Sequence, residues 1–315
     1  SEGFYLKRIT KNELFKTGIK LAFAVLAFWF LSKKLDYEQL PELFFSMSYP
    51  LLFVALIFQF LSTFISGYRW KLVMDSLGFD KGFWFYQGLY FKGSFFSQAL
   101  PGSVGGDAIR LIALKDEGYK ISDSLYGIFI DRVVGLTGLL IISLIALLFA
   151  PTYLHDGIKY AVFMISAGGL AGFLGLLFLH KIGVFENLGR LSFLHTLSTK
   201  FYAVYKGGEK STKQVFLSVA IHFFSILAVY MISVSSNLGI EFGAFLCLMP
   251  LVILLTILPI SFAGWGVREG AMVGLFSMSG ASKEAIMAVS IAYGVILIIS
   301  SVPGFAAWIR SKNIA

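Results

Sequence analysis

Hydrophobic residues run along this chain in long blocks separated by short polar turns. A helix that crosses a bilayer needs about 20 apolar residues in a row. Six blocks meet that length or come close to it, at 14–32, 50–68, 122–149, 157–179, 215–237 and 284–309. Two further apolar stretches depart from the pattern. The stretch 82–100 runs into Leu-Pro-Gly-Ser-Val-Gly-Gly, and 242–258 runs into Leu-Pro-Ile-Ser-Phe-Ala-Gly-Trp-Gly. Pro and Gly at this density break a helix. A short second helix is expected after each break, at 107–114 and 267–278. The expected fold is an all-α polytopic membrane protein, with six spanning helices and two re-entrant helical hairpins at 82–114 and 242–278.

Composition agrees. The chain has 315 residues, of which 57% are hydrophobic and 14% charged. Soluble domains carry about a quarter charged residues. A soluble globular enzyme and a disordered chain are both excluded, and residues 1–315 read as one transmembrane domain. The chain opens Ser-Glu-Gly rather than Met, so its first residues read as a remnant of expression; no cleavable signal peptide is visible. The single cysteine, Cys247, excludes an internal disulfide. The four histidines have no ligand spacing, so neither a metal nor another cofactor is expected.

The net charge of +8 reads first as topology and second as attraction to anionic lipid. No nucleic-acid partner is expected. With both hairpins re-entrant, the segments on one side carry 17 Lys and Arg, Arg69 and Lys71 among them. The other side carries three, Lys33, Lys34 and Lys283. Positive charge marks the cytoplasmic side. Both termini are therefore expected in the cytoplasm, in a multi-pass cell-membrane protein.

The breaks repeat. Leu100, Pro101, Ser103, Gly106 and Arg110 recur 158 residues later as Leu258, Pro259, Ser261, Gly264 and Arg268. Each copy lies between two spanning helices of opposite direction. Residues 50–149 and 215–309 are thus expected to form an inverted-topology repeat, an architecture of secondary transporters whose broken helices meet near the midplane. The basic stretch before residue 14 is expected to lie on the membrane. Residues 188–205 have apolar positions at helical spacing, which fits a membrane-surface helix or a loop helix packed on the bundle.

Six ionisable residues fall inside apolar segments: Asp107, Arg110, Asp131, Arg132, Arg268 and Glu269. At about 1.5 Å per residue, Asp131 sits roughly 13 Å into its helix. A charge there costs at least about 2.5–3.5 kcal/mol. Two readings are open: ion pairs that clamp the hairpins, or a polar pocket at the repeat interface. Ser103, Gly105 and Gly106 precede one short helix, and Ser261, Gly264 and Gly266 the other. Free amides at a helix start bind phosphate or carboxylate, and Arg110 and Arg268 suit bidentate phosphate recognition. Close helix packing for the glycines and an N-cap for Asp107 are the structural alternatives. His222 reads as an interhelical hydrogen-bonder. No nucleotide-binding or serine-nucleophile motif is present.

The segments L-P-G-S-V-G-G-D-A-I-R (100–110), I-D-R-V-V-G (130–135) and L-P-I-S-F-A-G-W-G-V-R-E-G-A (258–271) resemble the lysylphosphatidylglycerol synthase transmembrane-region family of flippase-like integral membrane proteins. The resemblance covers about residues 10–310. It implies a lipid-handling membrane domain, with the family's polar motif residues at Asp107, Arg110, Asp131, Arg132, Arg268 and Glu269. The family includes the membrane half of the bacterial multiple peptide resistance factor, which continues into a soluble synthase. This sequence stops at Ala315, so aminoacyl transfer is not carried over.

The function expected from these readings is a lipid translocator for a polar or anionic-headgroup phospholipid or a polyprenyl-phosphate-linked lipid, without catalysis. The alternatives are a membrane enzyme acting on a lipid headgroup, with Asp107, Asp131 or Glu269 as base, and a partner of a separately encoded synthase. A second copy of the chain is a further partner left open.

Overall fold

The computed structural model describes residues 40–99, 104–152, 154–182, 192–206, 208–257 and 263–312. Its α-helices are α1 (Leu40–Phe45), α2 (Tyr49–Ser76), α3 (Phe83–Ala99), α4 (Val104–Asp116), α5 (Ile121–Ala146), α6 (Asp156–Phe178), α7 (Ser192–Tyr205), α8 (Glu209–Ser235), α9 (Phe242–Ile257), α10 (Val267–Phe276) and α11 (Lys283–Lys312). No strand occurs among the described residues. Five segments are long and apolar enough to cross a membrane: Tyr49–Ser76, Ile121–Phe149, Asp156–Lys181, Lys210–Ser235 and Lys283–Ile309. The block 14–32 and the basic stretch before it lie outside the described residues. The chain is an all-α polytopic membrane protein, as its hydrophobic blocks require.

The two broken stretches behave differently from the spans. Helix α3 has 17 residues and α9 has 16, so each is about 25 Å long, short of a core of about 30 Å. Helix α3 packs on α4, and α9 packs on α10. Each pair is a helical hairpin. Helix α4 starts three residues before the expected 107, and α10 ends two residues before the expected 278.

Local chemistry sets where the long helices stop. Helix α2 ends on a Schellman turn, in which the amide of Phe79 reaches back to the carbonyl of Met74 (3.1 Å) and Gly78 takes a φ of 86°. The end of α8 is built alike: Leu238 N–H bonds Ser233 O (3.2 Å) around Asn237, whose φ is 51°. The turn after α2 is fastened to the turn after α4. Tyr119 donates its hydroxyl to Asp80, Lys81 pairs with Glu117, and the Phe79 and Tyr119 rings lie 4.5 Å apart. That hydrogen bond holds the exposed Asp80 carboxyl below its ordinary range.

Helices α2 and α8 pack against each other along the middle of the molecule, and Ser62 and Ser225 share a hydrogen bond of 2.8 Å there. The surrounding contacts come in matched sets. Exchanging α2 with α8, α3 with α9, α4 with α10 and α5 with α11 turns α2–α11 into α8–α5, and α3–α11 into α9–α5. It also turns α2–α5 into α8–α11. Every member of these sets is a packing contact. Helix α7 buries Leu197, Phe201 and Val204 in a cluster with Val73 of α2 and Ile130 and Val134 of α5. Of the two placements open for 188–205, the described part, from Ser192 on, packs on the bundle.

Candidate functional site

The first hairpin carries a charged cluster together with α2 and α5. Arg69 of α2 donates from Nε to Asp131 Oδ1 of α5 (2.9 Å) and from Nη1 to the Ser218 hydroxyl of α8 (3.1 Å). The two side chains of this pair are 5% and 3% exposed. Asp107 of α4 accepts from Arg132 Nε. Arg110 of α4 lies between the two carboxylates, 3.7 Å from Asp107 and 3.8 Å from Asp131. These are ion-pair distances beyond hydrogen-bonding range. Its guanidinium sits 4.1 Å from the Tyr90 ring centre and 5.0 Å from that of Trp70. Arg110 is 8% exposed, and its buried Nε has no hydrogen-bond partner among the described residues.

Glycines make room for these guanidinium groups. A Cβ on Gly135 would stand 3.1 Å from Arg69 Nη1, and one on Gly93 would stand 3.0 Å from Arg110 Nε. Arg69, Arg110, Arg132, Asp107 and Asp131 line one cavity of about 410 Å³. Its formal charge among the described residues is one positive, three guanidiniums against two carboxylates.

The second hairpin is wired differently. Arg268 of α10 donates from Nε (3.0 Å) and Nη2 (2.6 Å) to Glu269 Oε1. Ser290 of α11 donates to the same oxygen (3.2 Å), and Oε2 accepts the amide of Gly266 (2.6 Å). Glu269 is fully buried. It closes the turn before α10, where Gly264 and Gly266 take φ of 80° and 83°, a region glycine enters without steric cost. Arg268 also lies over Trp265, 4.6 Å from the ring centre, and is fitted against Gly294. A second cavity, of about 280 Å³, is lined by Arg268 and Gly264 and by neutral polar side chains of α2, α3, α8, α9 and α11.

The six expected ionisable residues thus form two clusters rather than one. Asp107, Arg110, Asp131 and Arg132 come together, and Arg268 and Glu269 stand apart with their own cavity. The cavities share Ile221, His222 and Ile257 in their walls. His222 donates from Nε2 to the Gly135 carbonyl (2.9 Å), joining α8 to α5. Gly105 and Gly106 fall inside the first turn of α4 rather than before it. A Cβ on Gly106 would run into the Gly93 carbonyl of α3. Ser103 and Ser261 lie outside the described residues.

Arg69 is the site residue that sequence reading missed. It was expected among the cytoplasmic loop charges because its hydrophobic block fades at residue 68. The helix continues to Ser76, so Arg69 sits about 10 Å before its end. The αL-forming Gly78, a natural helix stop, was the available signal.

Gly106→Ala is expected to destabilise the protein by about 1–3 kcal/mol, because the methyl group would force α3 away from α4. Thermal unfolding in detergent measures this. Wild-type stability would mean that the two helices separate at no cost.

No group of His, Cys, Asp and Glu with metal-site geometry occurs among the described residues. No curated protein matches the chain. A family model, described as the lysylphosphatidylglycerol synthase TM region, matches residues 18–304, and with the helical membrane fold and the clustered motif residues in place, the chain belongs to that family.

Proposed function

We propose that this protein moves an anionic, phosphate-bearing lipid headgroup between leaflets. The observation that carries the reading is Arg110: buried, lining the charged cavity and, among the described residues, ion-paired only at long range with no hydrogen-bond partner at Nε. A headgroup phosphate exposed to hydrocarbon costs many kcal/mol. A guanidinium fork held in a protein cavity replaces the lost water, while the acyl chains stay in lipid.

The matched contacts of α2–α5 and α8–α11 support an inverted repeat, as does the 158-residue spacing of the two breaks. Such a repeat supplies two related states, one open to each side. A second reading, chemistry on the headgroup, would use Asp107, Asp131 or Glu269 as base, and each of these carboxylates is paired with a guanidinium group.

The test is reconstitution into liposomes with a headgroup-labelled anionic lipid in both leaflets, followed by an impermeant quencher. Quenching beyond the outer-leaflet fraction supports translocation. Protection of the inner leaflet across a panel of anionic lipids, with and without a pH gradient, would overturn it.

Topology gives a separate prediction. Placing Arg69 inside the bundle leaves a charge split of 16 to 3, which still favours cytoplasmic termini. A cysteine at Ser192 is expected to label only from the cytoplasm, and one at Thr152 only from outside. Native Cys247 is buried and adds little background. Outside labelling at Ser192 would sink this orientation.

A further inference from the structure

Helix α5 presents a stripe to the outside of the bundle. Ile121, Leu125 and Phe129 recur at helical spacing, and each is about half exposed. Arg132 continues the stripe, about 16 Å from the helix start. A charge beside hydrocarbon is costly, so a membrane span rarely carries an arginine on such a face. Here the side chain is 35% exposed and turns inward to pair with Asp107 of α4. That pair forms part of the charged cavity's wall.

The outer side of the same wall is apolar. A further cavity, of about 330 Å³, lies between α5 and α7, lined by Leu125, Ile128 and Phe129 of α5 and by Phe193 and Leu197 of α7. Asp107, Phe129 and Arg132 line this groove and the charged cavity alike. Nearer the start of α5, Lys200 of α7 pairs with Asp123 (2.8 Å). The groove is thus apolar between two ion pairs, and one of these pairs joins it to a charged chamber. That is the polarity pattern of an amphiphile with a charged head and a hydrocarbon tail. A partner helix, about 10 Å across, is too wide for it.

We infer that the gap between α5 and α7 is a side entrance to the charged cavity, with the Asp107–Arg132 pair as its latch and the apolar groove as the seat of one acyl chain. The inference rests on the phosphate reading of the charged cavity. A lipid arriving from the bilayer keeps its tail in the groove while its phosphate meets Arg132 first. Phosphate and the Asp107 carboxylate compete for that guanidinium, so an anionic head opens the wall and an uncharged head does not. Ile128 and Leu197 are each 4% exposed, so a tail reaches them only from inside the groove.

The experiment follows lipids with a diazirine in the tail, in liposomes holding the full chain. Phosphatidylglycerol and diacylglycerol serve as probes, with the same tails and different heads. After illumination, peptide mass spectrometry locates the adducts. Phosphatidylglycerol is expected to label Ile128 and Leu197 about tenfold more than diacylglycerol does. Equal labelling by the two lipids, or none at either residue, would overturn the entrance. Asp107→Asn removes the competing carboxylate and is expected to raise phosphatidylglycerol labelling about three- to tenfold at subsaturating lipid. Unchanged or lower labelling would remove the latch. A Phe129→Cys, Phe193→Cys variant bridged by a short bismaleimide tests the entrance independently. Bridging is expected to cut translocation about tenfold relative to the same protein unbridged. If the bridged protein moves lipid at the unbridged rate, the entrance lies elsewhere and the phosphate reading stands. If wild type moves no anionic lipid, the phosphate reading falls and the entrance falls with it.

Discussion

A Glu269→Ala variant is expected to lose about 3–5 kcal/mol of stability, the penalty for leaving a buried cation without its partner. Glu269 has no exposed surface and collects four hydrogen bonds, two from Arg268, one from Ser290 and one from the amide of Gly266. Removing it strips Arg268 of its described counter-ion and frees the turn whose glycines sit at positive φ. Denaturant unfolding in detergent reads the loss. Glu269→Gln should fall between wild type and alanine, since the amide oxygen still accepts from Gly266 while the charge is gone. A change below about 1 kcal/mol for alanine would be an ordinary substitution, and Glu269 would not be a clamp.

This result would separate the two hairpins by role. In the second, the guanidinium is paired at 2.6 Å by its own neighbour in sequence. In the first, Arg110 reaches no carboxylate among the described residues closer than 3.7 Å, and the nearby Asp131 is paired with Arg69. Clamp and pocket were alternatives for all six residues in the sequence. The geometry pairs Arg268 directly with Glu269 and leaves Arg110, among the described residues, with long-range ion pairs alone.

The spans were legible because a bilayer imposes one length on every crossing helix, and blocks such as 122–149 and 157–179 agree closely with the helices Ile121–Phe149 and Asp156–Lys181. The breaks were legible because a proline stands there among several glycines, whereas Pro250 and Pro303, without that density, sit inside α9 and α11. Arg69 was not legible. A charge near the end of an apolar block looks like a loop residue until Asp131 and Ser218, 62 and 149 residues away, are seen to meet it. Gly93, Gly135 and Gly294 were missed for the same reason. Each stands against a guanidinium from another helix, a relation that no local pattern encodes. The division into two cavities was equally hidden, because the wall between them is made by Ile221, His222 and Ile257, from two helices whose approach no local pattern encodes.

Arg110→Lys is expected to reduce lipid translocation by about 10- to 100-fold while leaving stability within about 1 kcal/mol of wild type, the range of losing charge-assisted hydrogen bonds worth about 1.5–3 kcal/mol. Lysine keeps the positive charge, so the long-range attraction to Asp107 and Asp131 and the contact with the Tyr90 ring persist in kind. What it loses is the planar fork that grips two phosphate oxygens at once. Arg268→Lys makes the internal control. There two guanidinium donors already bind Glu269, so lysine should cost stability first and transport only as a consequence. Liposome quenching and detergent unfolding, measured on both variants, give opposite rankings if Arg110 holds the headgroup. Equal transport by wild type and Arg110→Lys would mean that the site needs only a positive charge. Equal stability loss in both variants would make Arg110 a second clamp, and the charged cavity would then have no claim on a lipid phosphate.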